Sequence, residues 1–424
     1  MNGRPSDRPG HRAPARAVTS AGRELLRRES LICARCGACR DVCPIYRAGG
    51  WESDSPRGRM GAVRDLYGRA VLGDSGAAPS GRRAVGGEHA LALVPPADED
   101  RARVVGHCTL CGACGPSCAA AIDTREVWLA ARAQLVAEGR QLEPYSRLAT
   151  LLERAKNVAA ADNGDRLEWT ENLDEATLDP GVFGAEVCYF VGCVASFYPR
   201  AEQVPLAFAE VLHAAGVGFT VLGGEEWCCG YPLEAAGYVA EARTFREHNV
   251  RAIVDLGVRV LVTACPSCHH VFASEAGETL RAAGVRILHA TQFLLEAVER
   301  GRLTPGELAA TATFHDPCDL GRNHGIYDEP RELLRRIPGL TLVELERSRE
   351  EAACCGGGGD LQSVDPGLTE RIADQRIDEV VGSGADILVS ACQQCEQVLE
   401  AAVRRRGLPI RVVDLCELVW ESLE

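Results

Sequence analysis

Twenty cysteines, most of them in short-spaced groups, constrain this chain of 424 residues more than any other feature. Two runs near the N-terminus, LICARCGACRDVCPIY and GHCTLCGACGPSCAAAID, repeat one another. Beyond them a five-cysteine pattern occurs twice. Cys193, Cys228, Cys229, Cys265 and Cys268 are matched by Cys318, Cys354, Cys355, Cys392 and Cys395, at offsets of 125 to 127 residues. Five coincident positions mark a duplicated structural unit. A disulfide framework does not explain this pattern. Disulfides need Cα atoms about 5.5 Å apart and carry no preference for repeated C-x2-C runs, and disulfide-dense chains are typically short and secreted. Met1 to Ser30 is rich in Arg and Pro and has no apolar h-region, so no secretory signal is expected. Metal ligation by thiolates in a reducing, cytoplasmic compartment is the expectation.

A hydrophobic content of 46% supplies two or three packed domains. The most apolar stretch, Ala252 to Cys265, is broken by Asp255, Gly257 and Arg259, so no membrane span of its own is expected. The net charge of −14 argues against nucleic-acid partners, which require clustered basic charge. The first 50 residues run the other way, with ten Arg against four acidic groups. Residues 1–30 are expected to be a disordered basic tail. Lys156 is the sole lysine, a bias that reads as coding preference.

The expected fold is mixed: an N-terminal α-helical module, then two tandem α/β units with mostly parallel sheets. The domains are set at 31–135 for the helical module, 136–184 for a helical connector, and 185–305 and 306–424 for the two units. Gly73 to Asp100 reads as a surface connector, and Thr124 to Gly139 has the apolar spacing of a helix. Strands are predicted at Val187–Val191, Phe219–Leu222, Val258–Thr263 and Val285–His289, and again at Thr311–His315, Leu340–Leu345, Ile387–Ser390 and Ile410–Val413. Helices are predicted at Ala201–Ala215, Ala235–Leu256 and His269–Ala283. Alternating β and α implies parallel sheets.

Cys33, Cys36, Cys39 and Cys43 followed by Pro44 form C-x2-C-x2-C-x3-C-P, the bacterial ferredoxin run, whose fourth cysteine ligates the other cluster in two-cluster proteins. Cys33, Cys36, Cys39 and Cys118 are therefore assigned to one 4Fe-4S cubane, and Cys108, Cys111, Cys114 and Cys43 to a second. Zinc also accepts four thiolates, but its sites seldom place four cysteines within eleven residues. The second run has Ala119 where the first has Pro44, a departure in the local turn. The 64 residues between the runs resemble the α-helical ferredoxin module of succinate dehydrogenase iron–sulfur subunits and of the C-type subunit of heterodisulfide reductase.

Each five-cysteine repeat contains CCG and ends in C-x2-C: GCVASFYP, EEWCCGYP and ACPSCHH, then HDPCDLGR, EAACCGGGG and ACQQCEQ. On the predicted strands, Cys193, Cys265, Cys318 and Cys392 stand just past carboxyl ends, where open α/β sheets bind ligands. Glycines after CC let the chain turn tightly and aim amides at sulfur. These residues resemble the cysteine-rich, or CCG, domain of the B-type and D-type subunits of heterodisulfide reductase. The fused order over roughly 31–420 is that of the D-type subunit, and it is shared with iron–sulfur subunits of anaerobic glycerol-3-phosphate dehydrogenase, glycolate oxidase and lactate utilisation systems. The resemblance implies a noncubane 4Fe-4S cluster at each complete motif, so one or two clusters beyond the two cubanes. One set of ligands would be Cys193, Cys228, Cys229, Cys265 and Cys268, and the other Cys318, Cys354, Cys355, Cys392 and Cys395. The second repeat has ACQQC where the first keeps Pro266. Cys188 and Cys416 lie outside every motif and are expected to be core residues.

His107, His269, His270, His315, Asp316, Arg322 and His324 lie beside these cysteines. They suit hydrogen bonding to cluster sulfur better than proton supply. The first functional reading is a heterodisulfide reductase-like oxidoreductase subunit, its catalytic residues unassigned, passing electrons from the cubanes to the CCG clusters to reduce a disulfide or similar acceptor. The second is a relay subunit of a flavoprotein dehydrogenase for glycerol 3-phosphate, lactate or glycolate that feeds quinone. Gly356 to Gly359 is an uninterrupted run and not G-x-G-x-x-G, so flavin would come from a partner. Expected partners are a membrane cytochrome b or quinone-reactive subunit, or a flavoprotein, the first placing the chain on the inner face of a membrane. A third reading is a zinc-stabilised scaffold without redox chemistry.

Overall fold

The computed structural model describes residues 20–67, 98–173, 178, 180–274 and 276–423. The connector expected at Gly73 to Asp100 lies almost wholly outside them. The N-terminal region is helical: α1 (Ser20–Ile32), α2 (Pro44–Gly49), α3 (Pro56–Tyr67), α4 (Asp98–Gly106), α5 (Thr124–Ala137) and α6 (Glu143–Ala155). A 3-10 segment, Asn163–Asn172, leads into the first sheet. Residues 20–30 correct the expectation of a disordered arm. Leu26 is fully buried among Met60, Val63 and Trp128, so an apolar stripe on α1 pins this stretch to α3 and α5.

The first α/β unit comprises β1 (Val187–Tyr189), α7 (Cys193–Phe197), α8 (Gln203–Ala214), β2 (Phe219–Thr220), α9 (Tyr231–Ala236), α10 (Val239–Asp255), β3 (Val260–Thr263), α11 (Pro266–Ala273), α12 (Gly277–Ala282), β4 (Arg286–His289) and α13 (Ala290–Glu299). The second comprises β5 (Ala310–Phe314), α14 (Asp328–Arg335), β6 (Leu340–Val343), α15 (Leu361–Val364), α16 (Pro366–Ser383), β7 (Ile387–Ser390), α17 (Gln393–Arg406), β8 (Arg411–Asp414) and α18 (Leu415–Glu421). Both sheets are wholly parallel and share one topology, β2-β1-β3-β4 and β6-β5-β7-β8. All eight predicted strands form. Their β-branched, continuously buried runs, such as Val260–Thr263 and Ile387–Ser390, are what a sheet covered on both faces demands.

Two predicted helices are broken. The stretch 235–256 divides at Gly237, which has φ +96°, because a Cβ there would come within 2.6 Å of the Arg132 backbone on α5. Only glycine permits that approach. The stretch 269–283 divides between Ala273 and Gly277.

The duplication extends to local devices. The last helix of each unit starts on a capping box, His289 accepting from the Thr291 amide and Asp414 from the Cys416 amide. The two units also pack as a pseudo-symmetric pair. α8 lies against α18, and its counterpart α14 lies against α13. Phe208, Phe293, Leu333, Leu334, Leu418 and Val419 form one apolar core across that junction. The helical module seats on both units. Val105, Val127 and Trp128 join Phe190, Leu261 and Phe272 of the first, while Cys43 and Ile45 join Leu361, Leu368 and Ile372 of the second.

Candidate metal centres

All twenty cysteines are unbridged. The ferredoxin-type run around Cys33 lies at the surface, with Cys36 exposed and Cys33, Cys39 and Cys118 half-buried, whereas Cys43, Cys108, Cys111 and Cys114 are buried. Cys39 neighbours Cys33, Cys36 and Cys43. The Cys43 thiol is pushed up by burial, held back by the charge of Arg59, and neighbours Cys108 and Cys111. Cys114 neighbours Cys108, Cys111 and Cys43. Cys43 thus lies near thiols of both runs.

In each five-cysteine set the thiols converge past the carboxyl ends of the strands. Cys193 opens α7, Cys265 caps α11, Cys392 caps α17, and Cys318 follows β5 by four residues. In the first set Cys193 meets Cys228, Cys228 meets Cys229, and Cys268 meets both Cys229 and Cys265. In the second, Cys354 meets Cys355, and Cys395 meets Cys355 and Cys392, with the Sγ atoms of Cys355 and Cys395 3.2 Å apart. Hydrogen bonds from Cys228 and Cys268 hold Cys229 down to about 6, and those from Cys354 and Cys395 hold Cys355 well below a free thiol. The second cysteine of each CC pair is therefore the one most readily ionised.

Backbone amides complete the donor set. Gly356 N lies 3.3 Å from Cys354 Sγ, Gly357 N 3.4 Å from Cys355 Sγ, and Leu110 N 3.4 Å from Cys108 Sγ. All-thiol groups with amides aimed at sulfur suit iron–sulfur clusters. Gly356 has φ +95° and would place a Cβ 2.8 Å from the Thr369 carbonyl; Gly230 repeats this at φ +89° and 2.8 Å from the Ala242 carbonyl. Replacing Gly356 with alanine is expected to cost about 2 kcal/mol or more through strain and displacement of α16. Iron content would fall in the second set but not in the first, measured as metal per chain beside a denaturant melt.

Arginines surround these thiols: buried Arg166 and Arg59, which sequence reasoning missed, and half-buried Arg322, which stands beside Cys318 in the sequence. Arg166 donates to Cys193 Sγ at 3.2 Å and pairs at 2.8 Å with buried Glu226, which accepts the Val191 and Gly192 amides at 3.0 and 2.8 Å. Arg59 donates to the carbonyls of Val104, Asp54 and His107 and faces Cys108, Cys43 and Cys114. Arg322 donates to the carbonyls of Cys111 and Ala352 at 2.8 and 2.7 Å. Each uses a fork that lysine lacks. The arginine bias is structural at these positions.

Of the polar residues singled out, His107 lies buried beside Arg103, and Asp316 is held below the usual carboxylate range; burial opposes the two bonds at 2.7 and 2.8 Å from Arg331 that hold it there. His269, His270 and His324 gather between the two sets, with His270 Nδ1 2.9 Å from His324 Nε2. Ser267 Oγ, between Cys265 and Cys268, donates to Asp319 at 2.7 Å, and Asp319 follows Cys318. The Gln393 of ACQQC, where the first repeat has Pro266, donates across the junction to the Ala264 carbonyl at 3.1 Å. That departure is a clamp between the units. The Cys111 thiol of the helical module lies against Cys354. Cys188 and Cys416 are fully buried in apolar cores.

This architecture defines an iron–sulfur oxidoreductase subunit of electron transfer. A family model described as a 4Fe-4S dicluster domain matches residues 29–122, and one described as a cysteine-rich domain matches 187–273 and 312–400. The D-type subunit of the dihydromethanophenazine:CoB--CoM heterodisulfide reductase of Methanosarcina barkeri is 33% identical over 408 residues, 92% of this chain and 93% of that protein. The chain belongs to the family of heterodisulfide reductase D-type subunits. The EtfAB:quinone oxidoreductase of Syntrophomonas wolfei and a probable iron-sulfur-binding oxidoreductase, FadF, of Bacillus subtilis are each 28% identical over 92% of this chain, which spans 58% and 59% of them. No helix among the described residues is long and apolar enough to cross a membrane.

Proposed function

We propose that this chain carries electrons between two cubane clusters in the module 31–135 and clusters at both CCG sites, where a disulfide or similar thiol-forming acceptor is reduced. The observation that carries this reading is the meeting of two complete five-cysteine sets across one buried junction, bridged by Ser267 with Asp319 and His270 with His324. A single-site carrier has no use for two such sets facing each other. Bound clusters supply electrons one at a time, while the chain's own groups exclude water and aim N–H donors at sulfur. The contact of Cys111 with Cys354 supports entry through the module into the second unit. Electrons would reach the module from a redox partner, either a cytochrome b or quinone-reactive subunit or a flavoprotein.

A relay role between a flavoprotein and quinone is the second reading, favoured by the two relatives at 28% identity. The deciding experiment uses protein purified without oxygen, reduced by viologen and offered a panel of disulfides and quinones. Thiol release matched to viologen oxidation is expected. Reoxidation by quinone alone supports the relay, and zinc without iron or acid-labile sulfide overturns both.

A further inference from the structure

The two five-cysteine sites differ at a buried position three residues before the first cysteine of each. His315 stands three residues before Cys318, where the first unit has Phe190 three residues before Cys193. Their equivalence is structural as well, because each donates its amide to the neighbouring strand at 2.8 Å, Phe190 to Val262 and His315 to Val389. In the first unit the side chain is spent on packing, Phe190 lying edge-on to Phe272 at 4.8 Å. In the second, one ring nitrogen of His315 lies with the Cys355 and Cys395 sulfurs in a buried group whose atoms are all within 4.8 Å of one another.

A second exchange accompanies the first. In the register where Gly356 meets Thr369 as Gly230 meets Ala242, Arg376 replaces Asn249. Asn249 binds the backbone of Trp227 and Cys228, whereas Arg376 sends Nε–H to His315 Nδ1 at 3.1 Å. A guanidinium can only donate, so Nδ1 accepts and a neutral imidazole carries its proton on Nε2.

We propose that His315 is an N–H donor built only into the second site, its Nε2 proton directed at the thiolates of Cys355 and Cys395 and its tautomer fixed by Arg376. The inference rests on the reading that this site holds an iron–sulfur cluster. A donor to cluster thiolate favours the more negative, reduced state, so the second site is tuned upward through a contact the first lacks.

The test uses anaerobically purified full-length protein with 15N-labelled histidine, comparing wild type with H315F, H315Q and the assignment variant C355S. In wild type, a weak 15N coupling is expected on the signal that C355S removes. The midpoint of that signal should fall in H315F and stay close to wild type in H315Q, which keeps an N–H donor, while first-site signals stay unmoved. A strong coupling would make His315 a ligand and overturn the donor assignment, as would an unchanged midpoint in H315F with the signal intact. The coupling is read on wild type, so the test survives a variant that fails to fold. A wild-type second site without iron would overturn the cluster reading itself, and its metal content separates that failure from the others.

Discussion

Replacing Cys43 with serine is expected to remove the cluster of the second ferredoxin-type run and to spare that of its own. Cys43 belongs by sequence to the run that starts at Cys33, yet its buried thiol neighbours Cys108 and Cys111, and Arg59 faces Cys108, Cys43 and Cys114 together. Serine offers a poorer ligand to iron. The loss should approach one cluster of about four irons per chain, with matching sulfide. The EPR species lost should be the one lost in Cys114→Ser, while Cys118→Ser should match Cys33→Ser. If Cys43→Ser and Cys33→Ser remove the same signal, the crossing is wrong and each run closes its own site.

The second large effect is expected at Arg132, on α5. Its fully buried guanidinium donates to the carbonyls of Gly106 at 2.8 Å, Cys108 at 2.7 Å, Ala235 at 2.6 Å and Gly359 at 3.0 Å, and it lies over the Tyr145 ring. Gly106 and Cys108 belong to the helical module, Ala235 to the first α/β unit and Gly359 to the second, so one side chain ties three parts of the fold. Burial pushes nearby Asp360 up to about 7, with the charge of Arg132 opposing that rise. Alanine here would open a cavity and take the guanidinium donor from the buried Cys108, Ala235 and Gly359 carbonyls, while the Gly106 carbonyl keeps the Cys108 amide and the Tyr145 hydroxyl. Each unsatisfied group costs about 1–3 kcal/mol and the terms are not additive, so a destabilisation of about 4 kcal/mol is expected, in the exceptional range for one substitution. Lysine keeps the charge without the fork and should recover only part of this loss. Anaerobic denaturant melts followed by cluster absorbance would show it, and an alanine variant within about 1 kcal/mol of wild type would refute the role.

Most of the fold was legible because its signals are local. β-branched runs such as Val260–Thr263 and Ile387–Ser390 announce covered strands wherever they occur, and the spacing Cys193, Cys228, Cys229, Cys265, Cys268 repeats whatever the packing. The helix breaks were less legible. Gly237 bends the chain because α5, about a hundred residues earlier, approaches it, and nothing beside Gly237 encodes that approach. Residues 20–30 were misread for a related reason: their arginines are conspicuous, whereas the docking of Leu26 needs a partner surface that only the folded chain provides.

By itself the sequence determined the chemistry: thiol groups of ferredoxin and CCG type, a duplicated parallel α/β unit, and glycines that let backbone approach sulfur. Tertiary structure decided which groups meet. It turned the units to face one another through α8 with α18 and α13 with α14, carried Cys111 to Cys354, buried the arginines beside thiols, and made His315 and Phe190 unequal occupants of one position. Spacing along the chain fixes what a short segment can ligate, whereas juxtaposition across more than a hundred residues depends on the packing of every element between.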